Sequence, residues 1–159
     1  MIRRAEKRDI PDIGRLLLQV NNVHADIRPD LFKHDHRKYT DVQLEGIIED
    51  DSRPVFVLTD EEDEHLRGYC FCELTVYEND NNMTDRKTLY IDDLCVDEVS
   101  RGEHTGRKLY EYVLGYAERS GCYNVTLNVW SGNEGARGFY DAMGLKPYKT
   151  GMEYILKGV

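Results

Sequence analysis

Residues able to do chemistry concentrate in two stretches of this chain. The first runs from Asp92 to Lys108 and reads Asp-Asp-Leu-Cys-Val-Asp-Glu-Val-Ser-Arg-Gly-Glu-His-Thr-Gly-Arg-Lys. An apolar segment leads there into a short polar loop with two glycines, and an amphipathic helix follows. Free N–H groups at a helix start, joined by Arg101, Arg107 and Lys108, make an anion site. A basic helix start is also an ordinary solvated surface, and the local sequence leaves both readings open. It is not a Walker loop, because Leu109 stands where Ser or Thr must follow the lysine. Asp92 and Asp93 are adjacent acids inside an otherwise apolar run. On a strand they point to opposite faces, so at least one should meet water or a substrate in a cleft. The second stretch, Asn133 to Leu145, puts Tyr140 on one helix face with Phe139 and Met143. Its hydroxyl could serve as an acid, or its ring could simply pack.

The elements that must position these groups are legible from periodicity. Ile2 begins a short extended segment. Asp9 reads as an N-cap with Pro11 in the first turn, and Ile10, Ile13, Leu16, Leu17 and Val20 recur at helical spacing. Thr40 opens a second helix with Gln43 three residues on, a capping-box pattern, ahead of Leu44, Ile47 and Ile48. The period then changes. Pro54 to Thr59, Gly68 to Tyr77 and Thr88 to Val96 read as three successive strands, an antiparallel meander. They are separated by polar insertions at Asp60 to Glu64 and Glu78 to Lys87. After Gly106 the helical period returns through Leu109, Tyr112, Val113, Tyr116 and Ala117, and Gly121 ends it. Tyr123 to Trp130 alternates as a strand. Asn133 caps a last helix that stops at Gly144, and Leu145 to Leu156 reads as extended.

The predicted order is β-α-α-β-β-β-α-β-α-β, an α/β (α+β mixed) fold. The strand-helix-strand crossover in the second half requires a parallel pair inside a mixed, mostly antiparallel sheet with helices on both faces. With 159 residues and no Pro/Gly/Ser linker, a single domain over 1–159 is expected. The net charge of −9 argues against a sequence-independent nucleic-acid binder, and suits a cationic substrate. No apolar run approaches the ~20 residues of a membrane span, and the charged start Met1-Ile2-Arg3-Arg4 lacks a signal-peptide core. A cytoplasmic setting without membrane or nucleic-acid partners is therefore expected. Cys70, Cys72, Cys95 and Cys122 form no C-x-x-C pair, so buried reduced thiols are expected and no metal site.

The loop at 101–106 resembles the Q/R-x-x-G-x-G/A pyrophosphate loop of the GNAT N-acetyltransferase superfamily, with Arg101 first and Gly106 last. Asn133, Ala136, Phe139, Tyr140, Gly144 and Leu145 match that superfamily's N-x-x-A-x-x-F/L-Y-x-x-x-G-F/L run position by position. The separation of the two motifs and the upstream element order agree, so the resemblance covers essentially the whole chain. His104 departs from the pattern, standing where the family has its central glycine. Histidine is among the residues that enter the left-handed region most readily, and its N–H remains available.

The resemblance implies acetyl-CoA as cofactor and direct acyl transfer to an amine in a ternary complex. It implies that the loop Arg101, Gly102, Glu103, His104, Thr105, Gly106 and Arg107 holds the pyrophosphate, with Asn133 touching the cofactor. The backbone of Leu94, Cys95 and Val96 would pair with pantetheine beside a strand bulge, the Leu94 N–H facing the thioester carbonyl. Tyr140 matches the general acid beside the sulfur. An acid at the Asp92 position is the proposed base in diamine acetyltransferases, whose strand the run Tyr-Ile-Asp-Asp-Leu resembles. Three demands accompany such a reaction. An ammonium of pKa near ~10 must lose a proton, an oxyanion needs a preorganised donor, and a departing thiolate needs a hydrogen-bond donor. Acceptor recognition is expected from His24 and Arg28 in the first inter-helix stretch, and from Glu73 and Asp93, while Glu73 on the neighbouring strand is also a third candidate for the base. The acceptor is a small molecule, polyamine-like among the candidates, or a peptide amine. A homodimer is common in that superfamily. A CoA-binding module without catalysis is the alternative.

Overall fold

The structure is a computed structural model and describes residues 1–63 and 65–157. Glu64, the last residue of the first polar insertion, lies outside the described residues. Strands β1 (Ile2–Arg4), β2 (Val55–Thr59), β3 (Leu66–Tyr77), β4 (Arg86–Val96) and β5 (Asn124–Leu127) form one sheet in that order. All neighbours are antiparallel except β4 and β5, which run parallel. The crossover between that pair is α3 (Thr105–Arg119), as the sequence period requires.

Helices α1 (Ile10–Ile27) and α2 (Asp41–Ile48) cover one face of the sheet. Ile13, Leu16, Leu17, Leu44 and Ile47 pack there on Val55, Val57, Tyr69, Phe71 and Cys95. On the other face Tyr110, Val113 and Ala117 of α3 pack on Phe56, Cys70, Cys72, Leu89 and Ile91. With layers on both sides, β2 is buried along its whole length, which explains its unbroken apolar run. Helix α4 (Glu134–Ala142) follows β5 in the chain and has no fully buried residue, Phe139 and Met143 packing on the α3-side cluster.

The capping readings divide. Thr40 accepts from the Gln43 N–H at 3.2 Å while Gln43 Oε1 accepts from the Thr40 N–H, so the capping box forms. Asn133 Oδ1 accepts from the Ala136 N–H at 3.2 Å. Asp9 does not cap α1 with its side chain. Its carboxylate turns back to Arg3, which donates to both oxygens at 2.7 and 2.9 Å, and to the Glu6 N–H. A buried carboxylate is better held by a bidentate guanidinium than by one amide, and the ion pair wins.

Two further differences concern extended segments. The strand expected over Tyr123–Trp130 shortens to β5. Leu145–Leu156 forms no strand among the described residues. Cys70, Cys72 and Cys95 are buried and all four cysteines are free, Cys122 being half-buried. Among the described residues no helix is long and apolar enough to cross a membrane.

Candidate active site

The site begins with a register fault. Phe71 pairs with Asp93 but the next residue, Cys72, pairs with Ile91, so Asp92 is the extra residue of a β-bulge on β4. A bulge lets consecutive side chains emerge on the same face. That overturns the expectation of opposite faces for the two acids. Ile91 packs on the α3 side, whereas Asp92 and Asp93 both bond to residues of the α1/α2 side.

Their environments differ. Asp92 accepts from the Lys38 ammonium with both oxygens, at 2.8 and 2.9 Å, and from the Tyr39 hydroxyl at 2.8 Å. Burial works against the charge on Lys38, but the Asp92 carboxylate outweighs it and the lysine stays protonated above its usual range. Tyr39 is fixed by its ring, which lies 5.6 Å from Phe71. Asp93 is half-buried and accepts from the Tyr69 hydroxyl at 2.6 Å. Burial pushes its carboxyl up to about 6. The Tyr69 hydrogen bond, the Lys38 charge and the Leu94 N–H offset this only in part.

The raised value has a consequence for stability. The ordinary carboxyl titrates at 3.8, so between there and about 6 the folded chain holds the proton that the unfolded chain releases. Stability from this group is full below the ordinary value and is lost as pH rises through about 6. A difference of that size corresponds to on the order of 3 kcal/mol. Asp93→Asn, which can still accept from Tyr69, should therefore gain stability over wild type at about pH 8 relative to about pH 4. Urea midpoints at the two pH values test it, and an equal difference at both would return Asp93 to its ordinary range.

Beyond the bulge the sheet opens. The β4–β5 ladder runs from Thr88↔Asn124 to Ile91↔Leu127 and stops, while β4 continues on its β3 side to Val96. Asp92 to Val96, with Leu94 in the middle, thus present a strand edge without a strand partner on that side among the described residues. An extended chain with amide groups fits such an edge. Gln19 of α1 reaches the Val96 carbonyl at 3.4 Å and closes the floor.

The polar loop follows. Asp97 accepts from the Val99 N–H and holds Arg15 at 2.8 Å, and the Thr105 hydroxyl donates to the Ser100 carbonyl at 3.2 Å. Gly102 has φ +89° and a Cβ there would meet nothing within 4 Å. His104 is the N-cap of α3 with φ 59° and ψ 22°, so histidine does take the left-handed conformation that its place in the loop pattern demands. Gly106 serves packing instead. An added Cβ would come within 3.3 Å of the Phe139 ring and 3.4 Å of Val96, so the glycine lets α3 approach α4. Glu103 is drawn off by Arg67 at 2.7 Å, and Arg107 pairs with Glu111 at 2.8 Å. Among the described residues Arg101 and Lys108 have no ion-pair partner. A cationic loop, free helix-start N–H groups and an adjoining open strand edge fit a pyrophosphate followed by an amide-bearing arm.

His104→Gly should keep or raise stability, by up to about 1 kcal/mol, because only glycine adopts this conformation freely. Affinity for CoA should be at least that of wild type. Calorimetry with thermal unfolding checks both; weaker binding by a folded variant would mean that the imidazole itself touches the ligand.

Tyr140 lies on α4, its ring 5.1 Å from Phe139. Burial, and then the nearby Cys70 and Asp93, push its hydroxyl well above the usual range, so it keeps its proton. The expected acceptor residues separate. His24 is half-buried, 5.2 Å from the Phe32 ring, which meets Trp130 edge-on at 5.5 Å. Burial and the Lys38 charge lower its pKa. Arg28 lies 5.7 Å from Trp130, but its guanidinium is committed to Asp30 and Glu153. Glu73 faces Arg53 at 3.8 Å and pairs across the sheet with Tyr90. Lys38, Tyr39 and Tyr69 were not foreseen as site residues. Lys38 is 54 residues from Asp92, and no spacing rule connects them.

A model of the acetyltransferase (GNAT) family matches residues 19–145. The chain belongs to the GNAT acetyltransferase family. A mutant of the BH1408 protein from Bacillus halodurans is 30% identical to it, with TM-score 0.93 and coverage of 99% of each chain. Glucosamine-6-phosphate N-acetyltransferase from Arabidopsis thaliana shares the fold at 21% identity and TM-score 0.71, over 99% of this chain and 98% of that one. An aminoglycoside acetyltransferase from an uncultured soil metagenomic sample, in complex with sisomicin, does so at 18% identity and TM-score 0.68, over 99% and 96%. Comparison with curated protein sequences finds no match. As a GNAT acetyltransferase the chain is an acyltransferase by family, and its mixed sheet with the parallel β4–β5 pair is that family's fold.

Proposed function

We propose that this GNAT protein is an acetyl-CoA-dependent N-acetyltransferase whose acceptor is a primary amine that arrives as an ammonium at Asp92. The observation that carries the reading is the Lys38 side chain. Its ammonium sits on both Asp92 oxygens beside the Tyr39 hydroxyl, at the bulge two residues before Leu94. A site that holds an internal ammonium in this way can hold an external one once the lysine moves aside. The His24, Phe32 and Trp130 rings supply an apolar wall with a neutral imidazole. The chain's net charge of −9 favours a cationic acceptor, and acceptors of the polyamine or aminoglycoside type meet both conditions.

Acetyl-CoA supplies the activated acyl group, held by the 101–107 loop, the Leu94 to Val96 edge and Asn133. Asp92 would take the proton of the bound ammonium, the Leu94 N–H, which also donates to the Asp93 carboxylate, would turn to the oxyanion, and the Tyr140 hydroxyl would hold a proton for the sulfur. Arg101, free of a carboxylate partner among the described residues, contributes its charge to the pyrophosphate. Arg101→Ala should weaken CoA binding about tenfold by calorimetry, and unchanged affinity would sink that assignment. The occupation of Asp92 by Lys38 also suits a CoA-binding module without turnover. Release of free CoA thiol from acetyl-CoA, assayed across a panel of amines, decides between the two. Release with cationic primary amines is expected, and silence with every amine would overturn the enzyme reading.

A further inference from the structure

Lys38 is placed unlike Lys7 or Lys87. Lys7 pairs with Glu49 on the surface and Lys87 donates to the Ser120 carbonyl, and neither touches the bulge. Lys38 lies in the irregular segment between α1 and α2, two residues before the Thr40 cap, where no helix fixes its backbone. Its side chain is 46% exposed, yet its ammonium reaches in to an Asp92 carboxylate that is only 16% exposed. Both carboxylate oxygens are taken, at 2.8 and 2.9 Å, and one of them also accepts from Tyr39. An external ammonium therefore meets a carboxylate that is already neutralised.

A primary amine held on the proposed base is, in chemical terms, a bound acceptor. From this geometry we infer that Lys38 is the first acceptor: the chain acetylates its own Lys38, and that single event frees Asp92 for external amines. The inference rests on the acetyl transfer proposed above. The Lys38 ammonium gives one proton to Asp92, and the Nζ lone pair forms an amide bond to the acetyl carbon. The bond from that carbon to sulfur breaks, and a second amine proton leaves with the sulfur as CoA thiol. No further reactant is needed. Leu94 stands two residues further along β4 than Asp92, roughly 7 Å on a strand, and a flexible four-carbon lysine stem swings through such a distance. Constant residence on the base gives Lys38 the advantage of an intramolecular reactant over any amine that must first displace it. The product is a neutral acetamide, which no longer pairs with a carboxylate. Tyr39, its ring 5.6 Å from Phe71, keeps its hydroxyl on Asp92 throughout. Asp92 is then charged and open to a cationic acceptor.

Mass spectrometry of the full chain tests this without any external amine. Incubation with acetyl-CoA should add one acetyl group, mapped to Lys38, with a first-order rate constant independent of chain concentration. Lys38→Arg should take up none. Asp92→Asn should slow the modification on the order of 10²-fold, even though it releases the lysine from its ion pair. A second readout is binding, measured after acetyl-CoA is removed. By calorimetry spermidine should bind the acetylated chain about tenfold more tightly than the untreated chain, and as tightly as it binds Lys38→Met. Acetylation spread over several lysines overturns the inference. So does a rate that rises with chain concentration, an Asp92→Asn chain modified as fast as wild type, or equal spermidine affinity before and after. An unmodified Lys38 in a preparation that releases CoA thiol with external amines removes the self-acetylation and leaves the proposed activity standing. An unmodified chain that is also silent with every amine overturns both.

Discussion

Tyr140→Phe should lower kcat on the order of 10²-fold while leaving acetyl-CoA affinity and fold stability nearly unchanged. The ring stays, so the contact with Phe139 and the half-buried face of α4 are kept. Only the hydroxyl goes. Burial holds that hydroxyl protonated well above the usual tyrosine range, and a thiol titrates near ~8.5. A phenol so much weaker as an acid than the thiol does not give its proton away completely. It stabilises the developing thiolate as a hydrogen-bond donor, present in the same form at every working pH. The ratio of wild-type to Tyr140→Phe kcat should therefore stay constant from about pH 6 to about pH 9. A ratio that collapses towards one end would indicate true proton transfer by a group of ordinary pKa. Full activity in the variant would reduce Tyr140 to packing.

Much of this arrangement is legible in the sequence because local rules govern it. Thr40 with Gln43, Asn133 with Ala136, and the glycines after α3 and α4 act within a few residues of themselves, and each sits where its spacing puts it. The loop from Arg101 to Gly106 is legible as an anion site for the same reason. What the sequence hides is whatever depends on a distant partner. Asp9 looks like a cap until Arg3 is seen to take both its oxygens. Asp92 and Asp93 look like opposite-facing acids until Cys72 skips a residue of register and pairs with Ile91. A bulge is a property of two strands; nothing within 92–93 announces it, and only the family resemblance implies one beside Leu94, where it is found. Gly106 illustrates a right position for an incomplete reason. Phosphate approach marks it in the loop pattern, yet the atoms it makes room for are ring carbons of Phe139, on the next helix. The missing last strand has the same character. Leu145–Leu156 carries strand residues and alternation, but a strand exists only where another accepts it.

Asp92→Asn should lose rate chiefly at neutral pH, on the order of 10²-fold in kcat/KM, and recover part of it as pH approaches the amine's own pKa near ~10. The logic is that of a base that both attracts and deprotonates. At neutral pH the acceptor exists almost wholly as ammonium, and the asparagine amide can neither balance that charge nor take its proton. At high pH the neutral amine arrives already competent, so the missing carboxylate matters less. Lys38 provides the control. Its ammonium competes for the same two oxygens at 2.8 and 2.9 Å, so Lys38→Met should lower KM for a cationic acceptor while leaving the high-pH kcat largely intact. The pair separates charge attraction from proton transfer. If Asp92 only attracts, Asp92→Asn raises KM and spares kcat at every pH. If it is the base, kcat itself follows the amine's titration in the variant and not in wild type. Profiles of kcat and KM against pH for the three proteins, on whichever amine releases CoA thiol, measure this directly. A variant profile parallel to wild type throughout would remove Asp92 from the chemistry and leave Asp93, bonded to the Tyr69 hydroxyl and with its carboxyl pushed up to about 6, as the next carboxylate to test.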